Sequence, residues 1–202
     1  MVKKDQLKTY RAKRDFRKTS EPPGRRKKSK GKPIFVIQKH DASRLHYDFR
    51  LEVDGVLKSW AVPKGPSTDP KEKRLAVPTE DHPLEYAEFE GTVPEDEYGA
   101  GTVMVWDTGT YWNLREREGR AVSMGKALRT GKVEVWLEGK KLSGGYALVR
   151  TGKKKGTRWL LIKMHDSAAD RRRNPVNTQP KSVLSGRTLK QIQKEEGKKR
   201  KK

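Results

Sequence analysis

A mainly-β chain, folded as an antiparallel β-barrel with one or two short helices and basic flexible flanks, is predicted by three observations. Between residues 34 and 163, short runs rich in β-branched and aromatic residues alternate with turn signals. Only residues 121–130 carry a convincing internal helical pattern, and no strand–helix alternation of the kind that builds a parallel sheet is present. Charge is partitioned along the chain of 202 residues, whose formal net charge is +22. Residues 1–33 hold 14 Lys/Arg against 3 Asp/Glu, residues 150–202 hold 18 against 4, and the middle holds 16 against 19. A near-neutral body thus lies between two strongly basic segments. The strand pattern by itself suits a barrel or a sandwich.

Residues 1–33 form the basic N-terminal segment. Its first 19 residues suit a short helix, stopped by Ser20-Glu21-Pro22-Pro23-Gly24, and Lys27 to Lys32 reads as a connector. Ile34-Phe35-Val36-Ile37-Gln38 opens the β domain, assigned to residues 34–170. Residues 44–53 alternate, and Asp54-Gly55 is a hairpin signal leading to a partner strand at Val56–Val62. Residues 74–77 form another strand before Thr79-Glu80-Asp81-His82-Pro83. Residues 102–106 precede a turn expected at Asp107-Thr108-Gly109, followed by a strand at 110–113. The helix at 121–130 ends at Gly131, and strands at 132–137, 145–150 and 158–163 complete the domain. Residues 171–202 are polar, Pro- and Lys-rich, with too little apolar surface to fold alone; a basic disordered tail is expected.

Zero cysteines excludes disulfides, thiolate metal sites and cysteine nucleophiles. No run of about 18 apolar residues is present to cross a membrane. Met-Val-Lys-Lys-Asp-Gln leads into no apolar stretch, so a secretory signal is not expected and a cytoplasmic protein is. Clustered positive charge favours a polyanion, foremost nucleic acid, through counterion release. No amphipathic segment with a broad apolar face supports a membrane surface instead.

Three of the four histidines fall within a short stretch, at His40, His46 and His82. On the alternating strand, Tyr47, Phe49, Leu51 and Val53 share one parity while His46, Asp48, Arg50 and Glu52 share the other. Side chains two apart project from one face, so His46, Asp48 and Arg50 stand side by side. With His40 just upstream, these residues suit a divalent metal, or else a hydrogen-bonded His–Asp pair that only stabilises the fold. Arg50 on the same face points to an anion next to the metal, since a guanidinium binds phosphate oxygens bidentately. Lys64 and Arg74 could extend such a cradle. His82, with Glu80 before it and Tyr86 after it, suits a general acid or a ligand of the transferring phosphoryl group. The P-loop spacing is wrong at Gly119–Gly125, and no serine-hydrolase elbow is present.

The string Phe35-Val36-Ile37-Gln38-Lys39-His40-Asp41-Ala42-Ser43-Arg44-Leu45-His46-Tyr47-Asp48-Phe49-Arg50-Leu51-Glu52 resembles the 3′-phosphoesterase domain of bacterial ligase D. The likeness continues through Trp60-Ala61-Val62-Pro63-Lys64-Gly65-Pro66, Glu80-Asp81-His82-Pro83-Leu84-Glu85-Tyr86 and Tyr98-Gly99-Ala100-Gly101. Upstream, Tyr10-x-x-Lys13-Arg14-Asp15-Phe16 and Glu21-Pro22 also look like that family. The resemblance implies a β-barrel enzyme that uses a divalent metal, foremost Mn²⁺, on DNA 3′ ends. It would remove a 3′-terminal ribonucleoside and then the remaining 3′-phosphate in DNA repair by end joining.

By the same resemblance, His40, His46 and Asp48 would hold the metal. Arg50 and His82 would contact the scissile phosphate with help from Tyr86, and Lys64, Arg74, Glu80 and Gln38 would line the site. Arg14, Asp15 and Glu21 match the family's N-terminal motif. Implied partners are primer-template or duplex ends, with a separate DNA ligase and Ku, and the protein would be a nucleoid-associated monomer. Two other readings fit the residues: a non-haem iron oxygenase with a His/Asp/His facial triad, and a non-catalytic DNA-binding repair module.

Overall fold

Strands whose apolar residues recur at every second position bury one face, and here the sheet hides that face by closing on itself. The computed structural model describes residues 5–24, 31–152 and 158–199. The strands are β1 (Ile34–Asp41), β2 (Leu45–Val53), β3 (Val56–Val62), β4 (Lys73–Pro78), β5 (Gly91–Val93) and β6 (Gly101–Asn113). They continue with β7 (Glu116–Arg117), β8 (Arg120–Ala121), β9 (Lys132–Gly139), β10 (Ser143–Thr151) and β11 (Arg158–Lys163). Neighbours follow the order β1-β2-β3-β4-β11-β10-β9-β6, and β6 pairs back onto β1. The result is an eight-stranded antiparallel barrel, with β5 added beside β6 and β7–β8 as a separate hairpin.

The two parities of the strands pack into two different cores. Phe35 and Ile37 of β1, Tyr47, Phe49 and Leu51 of β2, Trp60 of β3 and Met104 and Trp106 of β6 belong to the inner cluster. Val36 of β1, Leu57 of β3 and Val103 and Val105 of β6 belong to an outer one, shared with Leu7, Tyr10, Leu84, Tyr86 and Phe89. The outer core is therefore made by laying an N-terminal arm, with helix α1 (Lys8–Ala12), and the 3-10 turn Leu84–Glu88 against the barrel wall. The β2–β3 hairpin turns at Asp54 and Gly55 with φ of 53° and 84°, the left-handed pair that a two-residue turn requires.

Three expectations change. No turn forms at Asp107-Thr108-Gly109, because β6 runs through it. The pairing with β1 shifts between Ile37 and Gln38, inserting a bulge at Trp106. The Asp107 carboxylate instead accepts backbone N–H groups of Lys140, Lys141 and Leu142 at 2.9 Å each, so it caps the β9–β10 turn and not its own. The internal helix is shorter than expected: α2 (Met124–Thr130) starts after Ser123, whose side chain accepts from Lys126 N–H, and ends on Gly131 at φ 83°.

The third change is in the tail. Residues 171–199 are ordered along the barrel and carry α3 (Pro175–Thr178) and α4 (Leu189–Lys199). Trp106 Nε1–H and Lys141 Nζ–H donate to the Gln179 carbonyl at 2.8 and 2.9 Å, and Val183 N–H donates to Val105 O at 3.0 Å. Ile192 is fully buried in the inner cluster. The tail's few apolar side chains cannot build a core, yet they complete one the barrel already supplies. Most of the expected connector and the end of the lysine run lie outside the described residues. Ile192→Ala should cost about 2–5 kcal/mol, the usual range for truncating a buried aliphatic side chain; a urea titration that shifts by less than about 0.5 kcal/mol would show that α4 does not dock.

Candidate metal and phosphate site

Antiparallel pairing brings the outward parity of β1 and β2 together. Gln38 lies opposite Asp48 and His40 opposite His46, while β3 sets Ala61 opposite Asp48 and Ser59 opposite Arg50. His82 comes from beyond β4 but is tied to the sheet: Leu57 N–H donates to His82 O at 2.8 Å and His82 N–H to Leu57 O at 3.0 Å. The N-terminal arm delivers Arg14 and Glu21. All except Gln38, Leu57 and Ser59 line one cleft of about 180 Å³ on the outer barrel wall, together with Ala42, Thr79, Glu80, Tyr86, Tyr98 and Gly99.

His40, His46 and Asp48 each offer a ligand atom within 4.8 Å of the others. His40 Nδ1 and His46 Nε2 lie 3.6 Å from the two oxygens of Asp48, too far for hydrogen bonds. His46 Nδ1 is 2.9 Å from the Arg44 carbonyl, which can only accept, so Nδ1 carries the proton and Nε2 presents a lone pair. His40 turns Nδ1 toward the Asp48 carboxylate, and its Nε2 is buried with no hydrogen-bond partner. Two imidazole nitrogens and one carboxylate are a donor set that a divalent cation accepts, with positions left open. The cluster could therefore chelate a divalent metal.

Arg50 joins this cluster to the rest of the cleft. Its Nε–H donates to Gln38 Oε1 (2.8 Å), Nη1 to Ser59 Oγ (2.9 Å) and Nη2 to Asp48 Oδ2 (3.0 Å), and Nη1 also lies 2.8 Å from His82 Nδ1, itself 2.9 Å from the Glu80 carbonyl oxygen. Burial alone would raise the Asp48 carboxyl, but the Arg50 guanidinium and the two imidazoles outweigh it and hold it well below the ordinary carboxylate range. On the far side of His82, Arg14 Nη2 lies 3.4 Å from Nε2. Arg14 donates to Glu21 Oε1 at 2.9 Å and to Glu80 Oε1 at 3.2 Å, and its guanidinium lies 3.9 Å from the centre of the Tyr10 ring. Burial first, then the guanidiniums of Arg50 and Arg14, push His82 well below its ordinary value of 6.5, so the ring is neutral at neutral pH.

The remaining sequence-derived residues divide by position. Gln38 is fully buried; its amide donates to the carbonyls of Tyr86 (2.9 Å) and Phe89 (3.1 Å), and it orients Arg50 from behind the cleft. Burial, then Glu21, push the Tyr86 phenol well above 10, so it stays protonated and donates to Glu21 Oε1 at 3.0 Å. Asp15 faces away, its carboxylate bound by Arg17. Lys64 and Arg74 line a neighbouring groove with Lys73 and Glu72, not the cleft itself.

Four residues are added by the structure. Ser59 could have been found from the outward parity of β3. Lys13, whose ammonium donates to Glu80 Oε2 at 3.2 Å, lies within the quoted family string but is given no role there. Thr79 and Tyr98 come from irregular segments with no readable period.

A family model described as the DNA Ligase D 3′-phosphoesterase domain matches residues 38–150. The chain is 53% identical over 189 residues to the multifunctional non-homologous end joining protein LigD of Pseudomonas aeruginosa, covering 91% of this chain and 22% of that protein. It is 50% identical over 157 residues to the multifunctional non-homologous end joining DNA repair protein LigD of Mycobacterium tuberculosis, covering 77% and 19%. With the LigD of Mycolicibacterium smegmatis the identity is 47% over 163 residues, covering 80% and 21%. The chain spans about a fifth of the length of these relatives.

Two outcomes follow from the geometry. His46→Ala should weaken the binding of one Mn²⁺ or Zn²⁺ by roughly tenfold or more with little change in melting temperature; calorimetric titration showing an unchanged affinity would remove His46 from the ligand set. Because the folded protein keeps His82 neutral, the unfolded chain binds its proton first, and stability falls as pH drops below 6.5. His82→Asn should flatten that loss, seen as a smaller difference in urea midpoint between about pH 7.5 and about pH 5.5.

Proposed function

The chain belongs to the family of DNA ligase D 3′-phosphoesterase domains, and on that premise we propose that it is a divalent-metal-dependent phosphoesterase that trims DNA 3′ ends in break repair. One observation carries the proposal: a metal-ligand cluster and a buried guanidinium share the Asp48 carboxylate, so a cation and a phosphate binder meet in one cleft. The buried charges there are Asp48, Glu21 and Glu80 against Arg14 and Arg50, a formal −1 that a divalent ion converts to +1. The ion therefore adds the positive charge that favours a phosphate in the cleft. Membership in this family removes the oxygenase reading of the same triad.

When held by His40, His46 and Asp48, the ion supplies Lewis acidity and positive charge to a phosphoryl oxygen. Mn²⁺ is the proposed metal, on the resemblance of the motif and the mixed nitrogen–oxygen donor set. Arg50 donates to Gln38, Ser59 and Asp48, and its second Nη2–H is proposed to bind a non-bridging oxygen. His82, flanked by two guanidiniums and neutral, acts as a hydrogen-bonding partner of the phosphoryl group and not as an imidazolium acid. Tyr86 and Gln38 are positioning residues, the first acting on Arg14 through Glu21 and the second on Arg50.

The substrates proposed are primer-template or duplex ends bearing a 3′-terminal ribonucleoside or a 3′-phosphate, leaving a 3′-hydroxyl. The relatives are named for non-homologous end joining, and by extension this chain would act beside a DNA ligase and Ku, as a monomer on nucleoid DNA. Its two basic segments, net +11 over residues 1–33 and +14 over residues 150–202, suit the phosphate backbone. Among the described residues no helix is long and apolar enough to cross a membrane.

The test is a labelled primer-template carrying either 3′ end, incubated with Mn²⁺, Mg²⁺, Zn²⁺ or chelator. Conversion to the 3′-hydroxyl with Mn²⁺, lost with chelator and with Asp48→Asn, is expected. DNA binding without end conversion at any metal would establish the non-catalytic module instead.

A further inference from the structure

Tyr98 lines the cleft yet has no part in the phosphate chemistry. Tyr98 is 49% exposed, whereas Tyr10 and Tyr86 are buried. One face lies under the Lys13 ammonium, 4.1 Å from the ring centre. The segment that carries it is fastened at both sides. Asp15 N–H donates to Glu97 Oε2 at 3.3 Å, and Lys18 Nζ–H donates to Asp96 Oδ2 at 3.1 Å. Downstream, Gly101 at φ 131° passes so close to β1 that a Cβ there would lie 2.2 Å from the Asp41 carbonyl oxygen. A large, half-exposed aromatic ring on a fastened loop is a poor contribution to the core and a good stacking surface.

Its place in the sheet gives the direction of the substrate. Tyr98 enters from the β6 side of β1, since Thr102 pairs with Asp41. The groove of Lys64, Lys73 and Arg74 lies across the metal cluster on the β3–β4 side. Basic side chains there suit the backbone of the retained strand. The opposite side of the scissile phosphate is then left for the group that departs.

We infer that Tyr98 is a specificity-determining residue that stacks on the base of the departing 3′-terminal nucleoside. The inference rests on the phosphoesterase reading of this cleft. A 3′-phosphate end has no nucleoside beyond the phosphorus, so the two substrates separate stacking from chemistry.

The experiment is steady-state kinetics of the full chain with Mn²⁺ on primer-templates ending in a 3′-ribonucleoside or a 3′-phosphate. Tyr98→Ala should raise KM for the ribonucleoside end about tenfold, the size of one base–aromatic stack, with kcat nearly unchanged. KM for the 3′-phosphate end should stay as it is, and Tyr98→Phe or Tyr98→Trp should restore the first substrate. An unchanged KM ratio in Tyr98→Ala, or equal losses on both ends, overturns the inference while leaving the end-processing reading intact. Wild-type protein inactive on both ends overturns that reading and the inference with it.

Discussion

The Arg50 guanidinium is the constraint to which the cleft is built. It is buried, and a buried cation survives only when its donors are met by well-placed acceptors. Gln38, Ser59 and Asp48 supply them from three strands of the wall. Each contact fixes something else: Gln38 is held by the backbone of the 3-10 turn, Asp48 is kept ionised, and His82 is kept neutral. Lysine could not replace it, since a compact ammonium cannot reach acceptors spread around a planar fork.

A second guanidinium completes the arrangement from outside the barrel. Arg14 arrives on an arm that docks through Leu7 and Tyr10, and its carboxylate partners come from both the arm (Glu21) and the barrel (Glu80). Two buried acids and one buried base make the docking electrostatic as well as apolar. The cleft is thus composite, with one arginine from the wall and one from the arm. The His40, His46 and Asp48 cluster is made by the wall alone.

Much of this was legible in the sequence, and for identifiable reasons. Period-two alternation in β2 placed Tyr47, Phe49 and Leu51 inside and His46, Asp48 and Arg50 outside, because register and burial leave no other choice. Asp54-Gly55 announced its turn through the one conformation those residues share. Asp107-Thr108-Gly109 misled because a turn-forming triplet was recruited by another turn 33 residues away, a contact no local pattern records. The tail misled because composition measures whether a segment can bury its own side chains, not whether a neighbour has space for them. Arg14 and Glu21 entered through family likeness only, and their physical reason, a reciprocal buried pair, exists solely in the folded arm.

The division of β1 and β2 into a dry face and a chemical face has a consequence for assembly. A slip of one residue in β2 would drive Asp48 and Arg50 into the apolar interior and turn Phe49 and Leu51 out to water, and a slip in β1 would do the same to Gln38 and His40 against Phe35 and Ile37. Such a misthreaded barrel would forfeit its core and bury unpaired charge together, so it cannot persist as a stable, inactive impostor. The hydrophobic interior therefore acts as an error check on the cleft: any molecule that has folded has also aligned His40 with His46 and Gln38 with Asp48.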